Sequence, residues 1–162
     1  MLRRRLALAA LVLLVLAGCA TGPAWHGGGW FGSGLSPALE AQRARLAGAL
    51  RGTPVVVEAT GDRRLRVEVP LRHAFAPGRA AVNPALGAVL DQIAIGFKPY
   101  AATTELHIGA PDDGHGGARL VRERGASARD HLLGRGVPAS RIAGPGRAAA
   151  AGLEIVVSDR AP

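Results

Sequence analysis

The polar chemistry of this sequence concentrates in one stretch. Asp112, Asp113 and His115 lie within four positions of a Gly-rich segment, and Arg122, Glu123 and Arg124 follow shortly after. Carboxylates can accept from an ammonium or hold a cation, and a guanidinium can fork onto a carboxylate or phosphate. The first three residues lack the spaced ligand set of a calcium loop or a zinc site, so a polar turn is expected there and no metal. His26, His73, His107 and His131 show no ligand spacing either. The Gly27-Gly28-Gly29 run has no strand before it and no helix directly after it, which excludes a nucleotide loop. No Ser/His/Asp arrangement with elbow geometry is present. Neither an enzyme nor a cofactor is expected. Arg122, Glu123, Arg124 and Arg129 read as the wet face of a helix.

The first eighteen residues determine where such a protein works. Arg3, Arg4 and Arg5 precede an apolar run from Leu6 to Ala17, and Leu16-Ala17-Gly18-Cys19 follows. A membrane-spanning helix needs roughly 20 apolar residues, so this run suits the core of an export signal. Leu-Ala-Gly-Cys resembles the bacterial lipoprotein box, in which the thiol is acylated and the signal is cut before the Cys. Cys19 is the only cysteine of the chain, so no disulfide or thiol cluster competes for it. The resemblance implies cleavage of residues 1–18, lipid modification of Cys19, and, with Ala20 next, an outer-membrane address facing the periplasm. Removal of the signal leaves 17 basic and 12 acidic residues, the basic excess nearly all Arg. Such a surface suits anionic partners, but export removes the chain from nucleic acid.

Residues 19–35 carry the Cys and a Gly-rich tether with a reach of roughly 20–25 Å. Trp25, Trp30 and Phe31 either dip into the lipid interface, dock on the domain, or sit in a plain linker. Residues 36–162 form the domain. Ser36-Pro37 is a cap-and-proline helix start, with Leu39, Leu46 and Leu50 on one face and Gly52 as the stop. A hairpin follows: Val55 to Ala59, a turn at 60–62, then Leu65, Val67, Val69 and Leu71 alternating with polar residues. After a loop from Phe75 to Val82, Asn83-Pro84 starts a second helix bearing Leu86, Val89, Leu90, Ile93 and Phe97, stopped near Pro99. Thr104 to Gly109 is a strand whose His107 faces away from Leu106 and Ile108, a surface position that could also line a ligand mouth. Residues 110–117 are expected as a loop. Ala118 to about Leu133 is a helix with Val121, Gly125, Ala128 and Leu132 on one face. A short Val137–Ile142 segment, a Gly/Ala-rich stretch and a last strand, Leu153–Val157, close the chain. The order predicts an α+β fold (an α/β sandwich): a small mixed sheet with two main helices on one face, preceded by a short helix and hairpin.

Taken together, residues 36–158 resemble the OmpA-like domain of peptidoglycan-associated lipoproteins. Phe75 and the Asn83-Pro84-Ala-Leu86 helix start fit the family pattern, and Gly136-Val137-Pro138-Ala139-Ser140-Arg141-Ile142 fits at every position. The resemblance implies non-covalent binding of peptidoglycan through the diaminopimelate of its stem peptide. In the family an Asp takes the ligand ammonium and an Arg takes its carboxylate. Gly109-Ala110-Pro111-Asp112 matches Gly-His-Thr-Asp, keeping Asp112 with Asp113 as a possible substitute. Leu120-Val121-Arg122-Glu123-Arg124-Gly125 matches Leu-Ser-x-x-Arg-Ala, keeping Arg124. The family's Asn-Arg-Arg near the C-terminus is here Ala150-Ala151-Gly152, and the acidic residue after Phe75 is Ala76. Two readings stay open: a wall anchor gripping peptidoglycan with Asp112 and Arg124, aided by Asp113 and Phe75, or the same fold docking a protein partner in an envelope assembly.

Overall fold

The computed structural model describes residues 34–149 and 151–161, except for the side chains of 144–148. These residues fall in one unit spanning Phe31–Pro162. The expected signal, Cys19 and nearly all of the tether lie outside the described residues. Among the described residues no helix is long and apolar enough to cross a membrane.

Local chemistry sets most of the element boundaries. Ser36 adopts an extended backbone, its Oγ accepts from the N–H of Leu39, and Pro37 opens helix α1 (Pro37–Ala49). The same hydroxyl donates to Asp159 Oδ1 at 2.8 Å, tying the helix start to the end of the last strand. Strands β1 (Val56–Ala59) and β2 (Leu65–Pro70) form an antiparallel hairpin. Asn83 caps helix α3 (Pro84–Phe97), its Oδ1 accepting from the N–H of Leu86 at 2.8 Å. Strand β3 (Thr104–Pro111), helix α4 (Gly117–Gly134), strand β4 (Ile142–Ala149) and strand β5 (Gly152–Asp159) complete the chain.

The Gly136-Val137-Pro138 motif has a plain physical meaning. Gly136 sits at φ +84, its N–H bonds to the Leu133 carbonyl, and the Val137 N–H reaches back to that of Leu132. This is a Schellman cap, and the buried Val137 and Leu132 supply its apolar contact. Pro138 then prevents the helix from resuming.

The five strands form one sheet in the order β1-β2-β5-β3-β4, parallel only between β3 and β4, where α4 makes the crossover. Leu65, Val67, Val69, Leu106, Ile108, Leu153, Ile155 and Val157 point from one face into a single core. Helices α1, α3 and α4 contribute to it through Leu39, Leu46, Leu90, Ile93, Phe97, Ala128 and Leu132. The expected α+β sandwich with a mixed sheet is the observed fold, with α1 sharing the core beside the two main helices.

Three local expectations change. The Gly/Ala-rich stretch after Ile142 is strand β4, because its backbone pairs with β3 whatever its side chains are. Strand β3 runs on through Ala110 and Pro111, so the loop starts two residues later than expected. Leu71 belongs to a single helical turn, α2 (Leu71–Ala74), which begins where Pro70, opposite Gly152 at the end of the ladder, has no N–H to give.

Candidate ligand-binding cleft

Two chain turns meet at one end of the sheet. On one side β2 stops at Pro70, α2 makes its turn, and Phe75 returns to an extended conformation with its ring buried. On the other side β3 ends at Pro111 and the loop 112–116 leads into α4. Arg124 lies about two turns into α4, and helical side chains lean toward the helix start, so its stem reaches back toward both loops.

Arg124 is 0% exposed, the most thoroughly enclosed charge among the described residues. Its Nε donates to the Arg79 carbonyl at 2.9 Å and its Nη1 to the Pro111 carbonyl at 2.9 Å. Its Nη2 donates to Asp113 Oδ2 at 2.5 Å. The guanidinium carbon stands 5.0 Å from the centroid of the Phe75 ring, a cation–π contact. One side chain therefore clamps the loop after Phe75, the end of β3 and the start of the next loop. The helix placement explains the burial: Arg124 lies three residues after Val121 and four before Ala128, on the apolar stripe, while Arg122 and Glu123 are exposed.

Asp113 is the acid that answers it. Its Oδ2 also accepts from the N–H of Gly78 at 2.9 Å, and its Oδ1 from the N–H of His115 at 3.1 Å. The Gly78 N–H, then the Arg124 guanidinium, hold this carboxyl well below the usual carboxylate range. Its side chain is 8% exposed. Asp112, the neighbour favoured by the sequence, is exposed and folds its Oδ1 onto the N–H of Gly114 at 3.0 Å. The structure thus sets Asp113, not Asp112, against Arg124. Gly114 at φ +76 turns the loop so that the two adjacent acids diverge.

Beside this assembly opens a cleft of ≈ 660 Å³, lined by Pro70, Leu71, Arg72, Phe75, Asp113 and His115 among others. Its walls are mostly apolar, with charged and polar groups at the rim, a makeup that suits a small polar ligand with an aliphatic body. Ala151 lines it too. Gly152 leaves no room for a larger residue: a Cβ there would stand 2.1 Å from the Val69 carbonyl oxygen, where β2 and β5 meet. His107 is not part of the cleft. It projects from the other face of the sheet, beside Glu105 and a shallow hollow it shares with Arg64 and Glu154. Among the described residues no group of three His, Cys, Asp or Glu side chains is placed to hold a metal. Reasoning from sequence missed Arg72 and the backbone groups of Gly78, Arg79 and Pro111, since a carbonyl or N–H leaves no mark on residue type.

No family model matches the chain. It is 33% identical over 114 residues to the Probable lipoprotein YiaD of Escherichia coli (strain K12), a match covering 68% of this chain and 52% of that protein. The chain therefore spans about half the length of that relative. Similar solved structures include a MotB-like protein from Desulfovibrio vulgaris, at TM-score 0.62 and 18% identity, covering 76% of this chain and 92% of that one. The periplasmic domain of Helicobacter pylori MotB gives TM-score 0.56 at 16% identity, over 68% and 83% of the two chains. The cell wall anchor of the T6SS from Pseudomonas aeruginosa gives TM-score 0.56 at 20% identity, over 75% and 97%. At such identities the structural likenesses establish the fold. The chain has the fold of an OmpA-like domain, as the resemblance in sequence implied.

Proposed function

We propose that this chain is a lipid-anchored envelope protein whose OmpA-like domain binds peptidoglycan without a covalent bond and tethers the outer membrane to the cell wall. The observation that carries this reading is the Arg124–Asp113–Phe75 assembly beside an open, largely apolar cleft. Diaminopimelate has an aliphatic body ending in an ammonium and a carboxylate. Asp113, fixed in its ionised form, offers its Oδ1 side to the ammonium, and exposed Asp112 stands one residue away. Phe75 and Leu71 supply apolar wall. The likeness in fold to the T6SS cell wall anchor supports the same assignment.

Anchoring rests on Leu16-Ala17-Gly18-Cys19 and on the similarity to a probable lipoprotein. In this reading residues 1–18 are removed, Cys19 is acylated, residues 19–35 form the tether, and residues 36–162 face the periplasm. The action is binding, with no catalytic step. Complete burial of Arg124 favours one competing reading, in which the clamp is purely structural and the domain docks an envelope protein.

The test is co-sedimentation of the detergent-solubilised full chain with purified diaminopimelate-type peptidoglycan. Binding by the parent, weakened about tenfold in Asp113→Ala, is the expected result, since a charge-assisted contact is worth roughly 1.5–3 kcal/mol. A folded parent that stays in the supernatant would overturn the wall anchor and leave the docking module.

A further inference from the structure

A zwitterionic ligand needs a cation in the cleft as well as an acid, and Arg124 does not supply one at the surface. It is 0% exposed, and its Nε, Nη1 and Nη2 each donate to a group of the protein itself. A ligand carboxylate reaching it would have to displace Asp113 and lift the loop held at Gly78 and Arg79. The charges of Arg124 and Asp113 also cancel within the clamp.

Arg72 stands differently. Among the described residues it is the only Arg or Lys lining the cleft. It lies in the single turn α2, three residues before Phe75, and is exposed. Its Nε donates to His73 Nε2 at 2.9 Å, which steadies the guanidinium. Among the described residues its two terminal nitrogens have no partner, and no carboxylate offsets its charge. Ala76, which also lines the cleft, brings no charge to it. The unbalanced fixed charge at this rim is therefore positive, and a guanidinium presents paired N–H groups that match a carboxylate.

On the wall-binding reading, we infer that Arg72 takes the ligand carboxylate while Asp113 faces the ammonium. Arg124 is then a positioning residue that holds Asp113 and the loop after Phe75 in place. This division of labour predicts selection for a free carboxylate over its amide at the diaminopimelate centre.

The experiment measures binding of the detergent-solubilised full chain to two soluble stem tetrapeptides. One carries diaminopimelate with a free carboxylate, and the other carries the same centre amidated. The parent prefers the free acid. Arg72→Gln binds the free acid about tenfold more weakly and no longer distinguishes the two peptides. Arg72→Lys recovers part of the preference, retaining charge without the fork. Arg51→Gln, an exposed charge outside the cleft, keeps both affinities and shows that net charge alone is not responsible. An Arg72→Gln protein with the parent's thermal midpoint and the parent's preference overturns the inference and leaves wall binding intact. A parent that binds neither peptide removes the wall-binding reading itself, and the assignment of Arg72 with it.

Discussion

Two arginines of this domain hold ion pairs, one on each side of the same sheet, and their settings could hardly differ more. Arg124 lies on the helix-covered side, fully enclosed, with one acid, two carbonyls and an aromatic face around it. Arg66 projects from the open face of β2, its side chain 28% exposed, and meets three acids: Glu58 at 2.6 Å, Glu154 at 2.8 Å, and Glu68. By count of ion pairs Arg66 is the richer site. By physics it is the weaker one, because water competes for every group and screens every pair. Its service is local: Glu68 and Glu154 stand directly opposite across β2 and β5, and Arg66 relieves their repulsion. Arg124 organises three chain segments with bonds that water cannot replace, and so shapes the cleft.

The largest expected effect tests that contrast directly. Arg124→Ala removes an enclosed cation, three hydrogen bonds and the contact with Phe75, and should cost about 3 kcal/mol. For a domain of this size that lowers the thermal midpoint by roughly 10 °C, readable by circular dichroism. A loss as small as that expected for Arg66 would erase the distinction between the two clusters.

Acid provides the intermediate test. Because Asp113 is held below the usual carboxylate range, it stabilises the folded state at every pH above about 4. That contribution disappears as the pH falls below 4 and the carboxyl is protonated. Asp91 is depressed as well, chiefly by the hydrogen bond with His131, and adds to the same trend. The thermal midpoint should therefore decline steadily below pH 4, and Asp113→Asn should show a lower midpoint at neutral pH with a flatter acid limb. An unchanged slope in that variant would mean that Asp113 does not carry the acid sensitivity.

The smallest effect belongs to the open face. Arg66→Ala should cost no more than about 1 kcal/mol, and the difference from the parent should shrink further in 1 M salt. Urea unfolding at low and high salt measures both statements.

Much of this molecule can be read without its structure, wherever the cause is local. Ser36-Pro37, Asn83-Pro84 and Gly136-Val137-Pro138 each announce a helix end through backbone chemistry that needs only a few neighbours. Alternation from Leu65 to Val69 announces a half-buried strand for the same reason. Arg124 was legible only through the family pattern: its residue type reads as the wet face of a helix, whereas its spacing from Val121 and Ala128 sets it on the buried stripe.

What remained hidden depends on distant partners. Strand β4 has no side-chain pattern of a strand and exists because β3 offers it a ladder across the α4 crossover. The choice between Asp112 and Asp113 turns on one loop conformation, fixed by Gly114 and by the Gly78 N–H arriving from another part of the chain. Arg72 gains its meaning only where α2 is folded against the loop after β3. The sequence by itself determined the elements, their order and the residues able to carry charge. Tertiary structure alone decided which charge is enclosed and which faces the cleft, because burial and pairing are properties of segments brought together from far apart in the chain.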